Sequence, residues 1–82
     1  MLEVGYSSQA IKFLKQVNKI DAKRIFLKIQ KLRETPIIHD SKRVQGANLF
    51  RVRVGDYRVL YEVDYKSERL IVNKIDKRSR VY

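Results

Sequence analysis

The sequence predicts an α+β fold in which a two-helix hairpin packs on one face of a small antiparallel β-sheet, in the order β-α-α-β-β-β. Apolar residues recur at three- and four-residue steps through the first half of the chain. From Leu49 onward they recur at steps of two, and Gly55-Asp56 separates two such runs as a hairpin turn would. A length of 82 residues suits one domain spanning 1–82, with one two-layer core.

The elements follow in order. Leu2, Val4 and Tyr6 alternate with Glu3 and Gly5, the pattern of a short half-buried strand. Ser7 or Ser8 can cap a helix whose inward stripe is Ala10, Phe13, Leu14 and Val17, with Lys12, Lys15, Gln16 and Lys19 outward. A short link from Asn18 leads to Asp21, read as the cap of a second helix that turns Ala22, Ile25, Phe26, Ile29 and Leu32 inward. Pro36 drives Thr35 out of helical geometry, so this helix ends near Glu34 and a loop runs through Gly46.

In the second half, Phe50, Val52 and Val54 face one way while Arg51 and Arg53 face the other. Gly55-Asp56 suits a type II′ turn, and residues 57–63 return as the partner strand. A two-residue turn sets the register: Val54 opposite Tyr57, Arg53 opposite Arg58, Val52 opposite Val59 and Phe50 opposite Tyr61. A second turn at residues 65–68 leads to Leu70-Ile71-Val72-Asn73-Lys74-Ile75, whose apolar start reads as an interior strand.

Charge narrows the function classes. Nineteen Lys and Arg against nine Asp and Glu give a net charge of +10, which repels itself unless an anionic partner neutralises it. Nucleic acid or an acidic protein fits that role. The chain has no cysteine, which excludes disulfides, thiolate catalysis and cysteine-based zinc sites. No apolar run approaches the roughly 18 residues of a membrane span, and the N-terminus has no signal-like core, so a cytoplasmic protein is expected.

The hairpin register gathers Arg51, Arg53 and Arg58 on one face. Arg51 and Arg53 sit about 7 Å apart along one strand, and Arg53 sits about 5 Å from Arg58 across the turn. Like charges so placed destabilise a hairpin, and guanidinium forks match phosphate oxygens in pairs. The same face admits a plain solvated patch, or pairing with Glu62 and Asp64, which the alternation puts on that side. Lys12, Lys15, Lys19, Lys28 and Lys31 on the outer helix faces suit RNA-backbone contact and simple solvation equally. His39 reads as a surface residue of the mid-chain loop.

The segment Leu49-Phe50-Arg51-Val52-Arg53-Val54-Gly55-Asp56-Tyr57-Arg58-Val59-Leu60-Tyr61, with Lys77-Arg78 and the closing Val81-Tyr82, resembles the RelE branch of the RelE/ParE toxin superfamily. The likeness covers nearly the whole chain. It implies a type II toxin that acts as a ribosome-dependent endoribonuclease on A-site mRNA and is silenced by a RelB-type antitoxin. It further implies attack of the RNA's own 2′-hydroxyl on the adjacent phosphate, with no cofactor and no metal. Carried over by position, the catalytic residues are Arg51, Arg53, Arg58, Arg78 and Tyr82. Two departures stand out: relatives often carry lysine where this chain has Arg51 and Arg53, and Gly-His where it has Asp76-Lys77. Arginine stays protonated near neutrality, so the departures leave the acid and base unassigned. A ParE-like gyrase-binding toxin and a catalytically weak RelE-like binding protein are the alternatives.

Overall fold

The computed structural model describes residues 1–44 and 49–77. Its elements are β1 (Glu3–Tyr6), α1 (Ser8–Gln16), α2 (Lys19–Glu34), β2 (Lys42–Arg43), β3 (Leu49–Val54), β4 (Tyr57–Asp64) and β5 (Arg69–Lys77). The five strands form one sheet in the order β1-β5-β4-β3-β2. The expected α+β class and helix-strand order are borne out. The sheet is mixed rather than wholly antiparallel, because β1 runs parallel to β5. The two helices supply the long crossover that a parallel neighbour requires.

Every predicted hairpin pair is present, from Val54 opposite Tyr57 to Phe50 opposite Tyr61. Gly55 has φ +59°, while Asp56 does not enter the left-handed region, as a type II′ turn demands. The sheet face toward the helices carries Phe50, Val52, Val54, Val59, Tyr61, Val63, Leu70, Val72 and Ile75. These pack with Ala10, Ile25, Ile29 and Leu32 into one buried core. Helix α1 lies against β5 and α2 against β3.

Three expectations are corrected in the helices and the loop. Helix α2 starts at Lys19, because only Val17 and Asn18 separate it from α1, and Asn18 is its cap. The Asn18 Oδ1 accepts the Asp21 N–H at 2.9 Å, and the Asn18 Nδ2 donates to Asp21 Oδ2 at 2.9 Å. Phe26 is 49% exposed. Ile25, Ile29 and Leu32 already form the i, i+4, i+7 stripe, and Phe26 lies one step of about 100° beyond it. The loop after Pro36 contains the two-residue edge strand β2, paired with Arg51 and Phe50, too short to produce a periodicity signal. Gly46 lies outside the described residues.

Two tyrosines tie the layers. The buried Tyr61 ring stacks on Phe50 at 5.7 Å, and Arg43 lies over the outer ring at 5.4 Å. The Tyr61 hydroxyl donates to the Pro36 carbonyl and contacts Ser41 Oγ, both at 2.7 Å. Burial raises its pKa above the ordinary 10.0. Tyr57 packs edge-on against Phe13 and donates to Asp21 Oδ2 at 2.7 Å, joining the hairpin tip to the start of α2.

Tyr61→Phe leaves the Pro36 carbonyl without its donor, and the expected loss is about 1–2 kcal/mol in urea denaturation. The Asp21 pKa is held below the ordinary 3.8, chiefly by the Tyr57 hydrogen bond and next by Asn18. A depressed carboxyl stabilises the fold above its unfolded pKa, and that contribution is lost as pH falls through the folded value. Tyr57→Phe is therefore expected to be less stable than the wild type at neutral pH, with the gap narrowing below pH 3.8, as followed by acid titration of unfolding.

Candidate functional site

The sheet face turned away from the helices carries the arginines. Arg51 and Arg53 are exposed on β3, and Arg58 is partly exposed on β4, directly opposite Arg53. The alternation that buries Val52, Val54 and Val59 forces these three outward together. Arg58 in turn lies beside Asp76 of β5, so Arg53, Arg58 and Asp76 make one row across three strands. The neighbouring row is Arg51, Leu60 and Lys74.

Arg58 is held side-on by Asp76, with Nε donating to Oδ1 and Nη2 donating to Oδ2, both at 3.3 Å. Lys74 Nζ lies 4.0 Å from the same carboxylate. Among the described residues, no carboxylate comes within ion-pair distance of Arg51 or Arg53. Glu62 and Asp64 share this face but do not pair with the arginines: Asp64 Oδ1 instead accepts the backbone N–H groups of Lys66 and Ser67.

Periodicity misses Asp76 and Lys74 for a definite reason. Leu70 and Val72 point into the core, so strict alternation would send Lys74 and Asp76 after them. A β-bulge intervenes: Leu60 pairs with Lys74 and Tyr61 with Val72, leaving Asn73 as the extra residue. The bulge reverses the phase, burying Ile75 and turning Lys74 and Asp76 to the arginine face. Side chains from the start of α1 hold this stretch. Ser7 Oγ donates to the Asn73 carbonyl at 2.6 Å, while Gln9 accepts the Ile75 N–H at 2.9 Å and donates to the Ile75 carbonyl at 2.8 Å.

Two open grooves flank Arg53 at the hairpin edge. One is lined by Arg24, Leu27, Lys28 and Lys31 of α2, with Gly55 beneath. The Arg24 guanidinium lies where a Cβ on Gly55 would fall, at 2.8 Å. The other is lined by His39, Asp40 and Lys42. His39 is a surface residue, 89% exposed, with Nε2 at 3.1 Å from Asp40. Lys28 is drawn in by Asp40 at 3.6 Å, whereas Lys12, Lys15, Lys19 and Lys31 remain exposed. Among the described residues, no three His, Cys, Asp or Glu side chains converge to hold a metal ion. No described helix is long and apolar enough to cross a membrane. Arg78 and Tyr82 lie outside the described residues.

The geometry describes a cationic face on which Asp76 pairs with Arg58, suited to a phosphodiester lying across Arg51, Arg53 and Arg58. Comparison with known proteins agrees with its setting. The model of the ParE toxin family of type II toxin-antitoxin systems, parDE, matches residues 4–82. RelE1 of Methanocaldococcus jannaschii, a protein assigned as a toxin, is 32% identical over 83 residues, covering 96% of this chain and 92% of that one. The archaeal RelE-RelB complex of Pyrococcus horikoshii OT3 contains a chain superposing with a TM-score of 0.87 at 28% identity, with 98% of each chain covered. The isolated E. coli RelE toxin shares the fold at a TM-score of 0.88 and 17% identity, covering 98% of this chain and 87% of that one.

Inorganic phosphate is expected to stabilise the protein beyond sodium chloride at matched ionic strength. Occupancy at ten times the dissociation constant adds about 1.4 kcal/mol. Thermal melts in the two salts measure the difference, which should shrink in Arg53→Gln.

Proposed function

Given that the chain belongs to the ParE toxin family of type II toxin-antitoxin systems and is a RelE-like toxin of the RelE/ParE superfamily, we propose that it cleaves mRNA in the ribosomal A site. The observation that carries this reading is the joint projection of Arg51, Arg53 and Arg58 from one sheet face. A gyrase-binding surface has no need of a phosphate-clamping set, and three guanidinium groups this close repel one another unless a polyanion offsets them.

In the reaction the RNA 2′-hydroxyl attacks the adjacent phosphate, giving a 2′,3′-cyclic phosphate and a 5′-hydroxyl. Negative charge accumulates on the non-bridging oxygens of the pentavalent phosphorus, and the arginines supply donors for that charge, with Arg58 held in place by Asp76. Arg78 and Tyr82 complete the proposed set, Arg78 as a further phosphate donor and Tyr82 by stacking on a splayed base or orienting the 2′-hydroxyl. Leu60, half-buried between Arg51 and Lys74, offers apolar surface beside the phosphate face. No cofactor is required by this chemistry.

The proposed partners are the ribosome, with its RNA and A-site mRNA, and a RelB-type antitoxin. Complexes of RelE with RelB from Pyrococcus horikoshii, Escherichia coli and Methanococcus jannaschii support the second. A charge of +10 favours an acidic antitoxin, whose attraction also speeds association. The setting for both partners is the cytoplasm.

The family match is to a ParE description, which keeps gyrase inhibition as the second reading. Purified protein added to programmed ribosomes separates the two. A-site cleavage is expected, with a loss of about a hundredfold or more in Arg53→Ala. Intact mRNA together with inhibited gyrase would replace this reading with the second.

A further inference from the structure

The arginines can hold a phosphate, but a guanidinium neither takes nor gives a proton near neutrality. Cleavage by 2′-hydroxyl attack needs a base for the nucleophile and an acid for the departing 5′-oxygen. The described tyrosine hydroxyls beneath the hairpin are engaged elsewhere, Tyr57 with Asp21 and Tyr61 with Pro36 and Ser41. His39, on the loop leading into β2, lines the groove beside Arg53, but it lies across the sheet from Arg58 and β5, with its Nε2 beside Asp40 at 3.1 Å.

The bulge at Asn73 brings two ionisable side chains to this face. It turns Asp76 into the row of Arg53 and Arg58, and Lys74 into the row of Arg51. Both side chains are accessible from the open face, Asp76 at 27% and Lys74 at 54%. Arg58 ties the carboxylate to the phosphate-binding surface through two hydrogen bonds, and Lys74 Nζ lies 4.0 Å from Asp76 Oδ2. A bulge that re-aims side chains beside a reactive surface is a recurrent device, and this one is fastened by Ser7 and Gln9.

We propose that Asp76 and Lys74 are the proton-transfer pair of this site, a role that rests on the RNA-cleaving reading above. Asp76 takes the proton of the attacking 2′-hydroxyl as the O2′–P bond forms. Lys74 gives an ammonium proton to the 5′-oxygen as the P–O5′ bond breaks. The proton on Asp76 then passes to the neutral Lys74 amine across their contact, and both groups are restored. Atoms and charge balance without a co-reactant.

Single-turnover cleavage on programmed ribosomes tests the pair. Asp76→Asn keeps an acceptor for Arg58 but not the basicity, and its rate should fall about a hundredfold or more while ribosome affinity is retained. Asp76→Glu should restore part of the rate. Lys74→Met should also fall, and Lys74→Arg, which keeps the charge without a usable proton, should not recover. The roles separate on an mRNA with sulfur replacing the bridging 5′-oxygen, because a thiolate leaves without protonation. That substrate should rescue Lys74→Met and leave Asp76→Asn slow. Wild-type cleavage by Asp76→Asn, or no rescue of Lys74→Met by sulfur, overturns the pair while the ribonuclease reading stands. A wild-type protein that leaves A-site mRNA intact removes both.

Discussion

The side chains of Ser7 and Gln9 reach the edge of β5 where β1 stops, and the surface chemistry of the sheet depends on that contact. Parallel pairing of β1 ends at Tyr6 opposite Val72. Beyond it, the Asn73 carbonyl and both polar backbone groups of Ile75 would otherwise lack a neighbouring strand. Ser7 and Gln9 satisfy them, and Ser7 also caps α1 by accepting the Ala10 N–H at 3.1 Å. One short segment thereby starts a helix and stabilises a bulge. The bulge decides which of two phases the second half of β5 adopts, and so whether Asp76 meets Arg58 or the core.

The opposite face shows how a small domain tolerates crowded positive charge. Arg53 and Arg58 occupy directly opposed positions, a pairing that weakens a hairpin unless something offsets it. Asp76 offsets part of it through Arg58, at modest energy because the pair is solvent-accessible, and Lys74 shares the same carboxylate. The rest of the stability comes from the other side of the sheet, where Val52, Val54, Val59, Tyr61 and Val63 are buried against the helices. Core and cationic face are thus two sides of the same strands. A RelE-like toxin built this way presents a cationic surface whose charge remains available to an anionic partner.

Much of this was legible in the residues. The β3-β4 register followed from period-two patterning and a glycine able to adopt positive φ, both of which act within a few residues. The end of α2 followed from Pro36, for the same reason. The start of α2 is not fixed by the residues alone, because Asn18 and Asp21 are both good caps and only the direct joining of the helices gives the role to Asn18. The exposure of Phe26 leaves no mark in the sequence, because its side chain is apolar whereas burial depends on where a neighbouring layer ends. Strand β2 has two residues, below the length at which any pattern exists.

The candidate site divides along the same line. The sequence by itself determined that Arg51, Arg53 and Arg58 share a face, since alternation and a two-residue turn are local constraints. It also determined the charge that calls for an anionic partner. Only the tertiary structure decided that Asp76 and Lys74 join those arginines. Their orientation hangs on one extra residue in β5, and the stretch around it is held by hydrogen bonds from Ser7 to Asn73 and from Gln9 to Ile75, each spanning 66 residues of sequence. A phase shift set by a contact that distant leaves no trace in the local pattern.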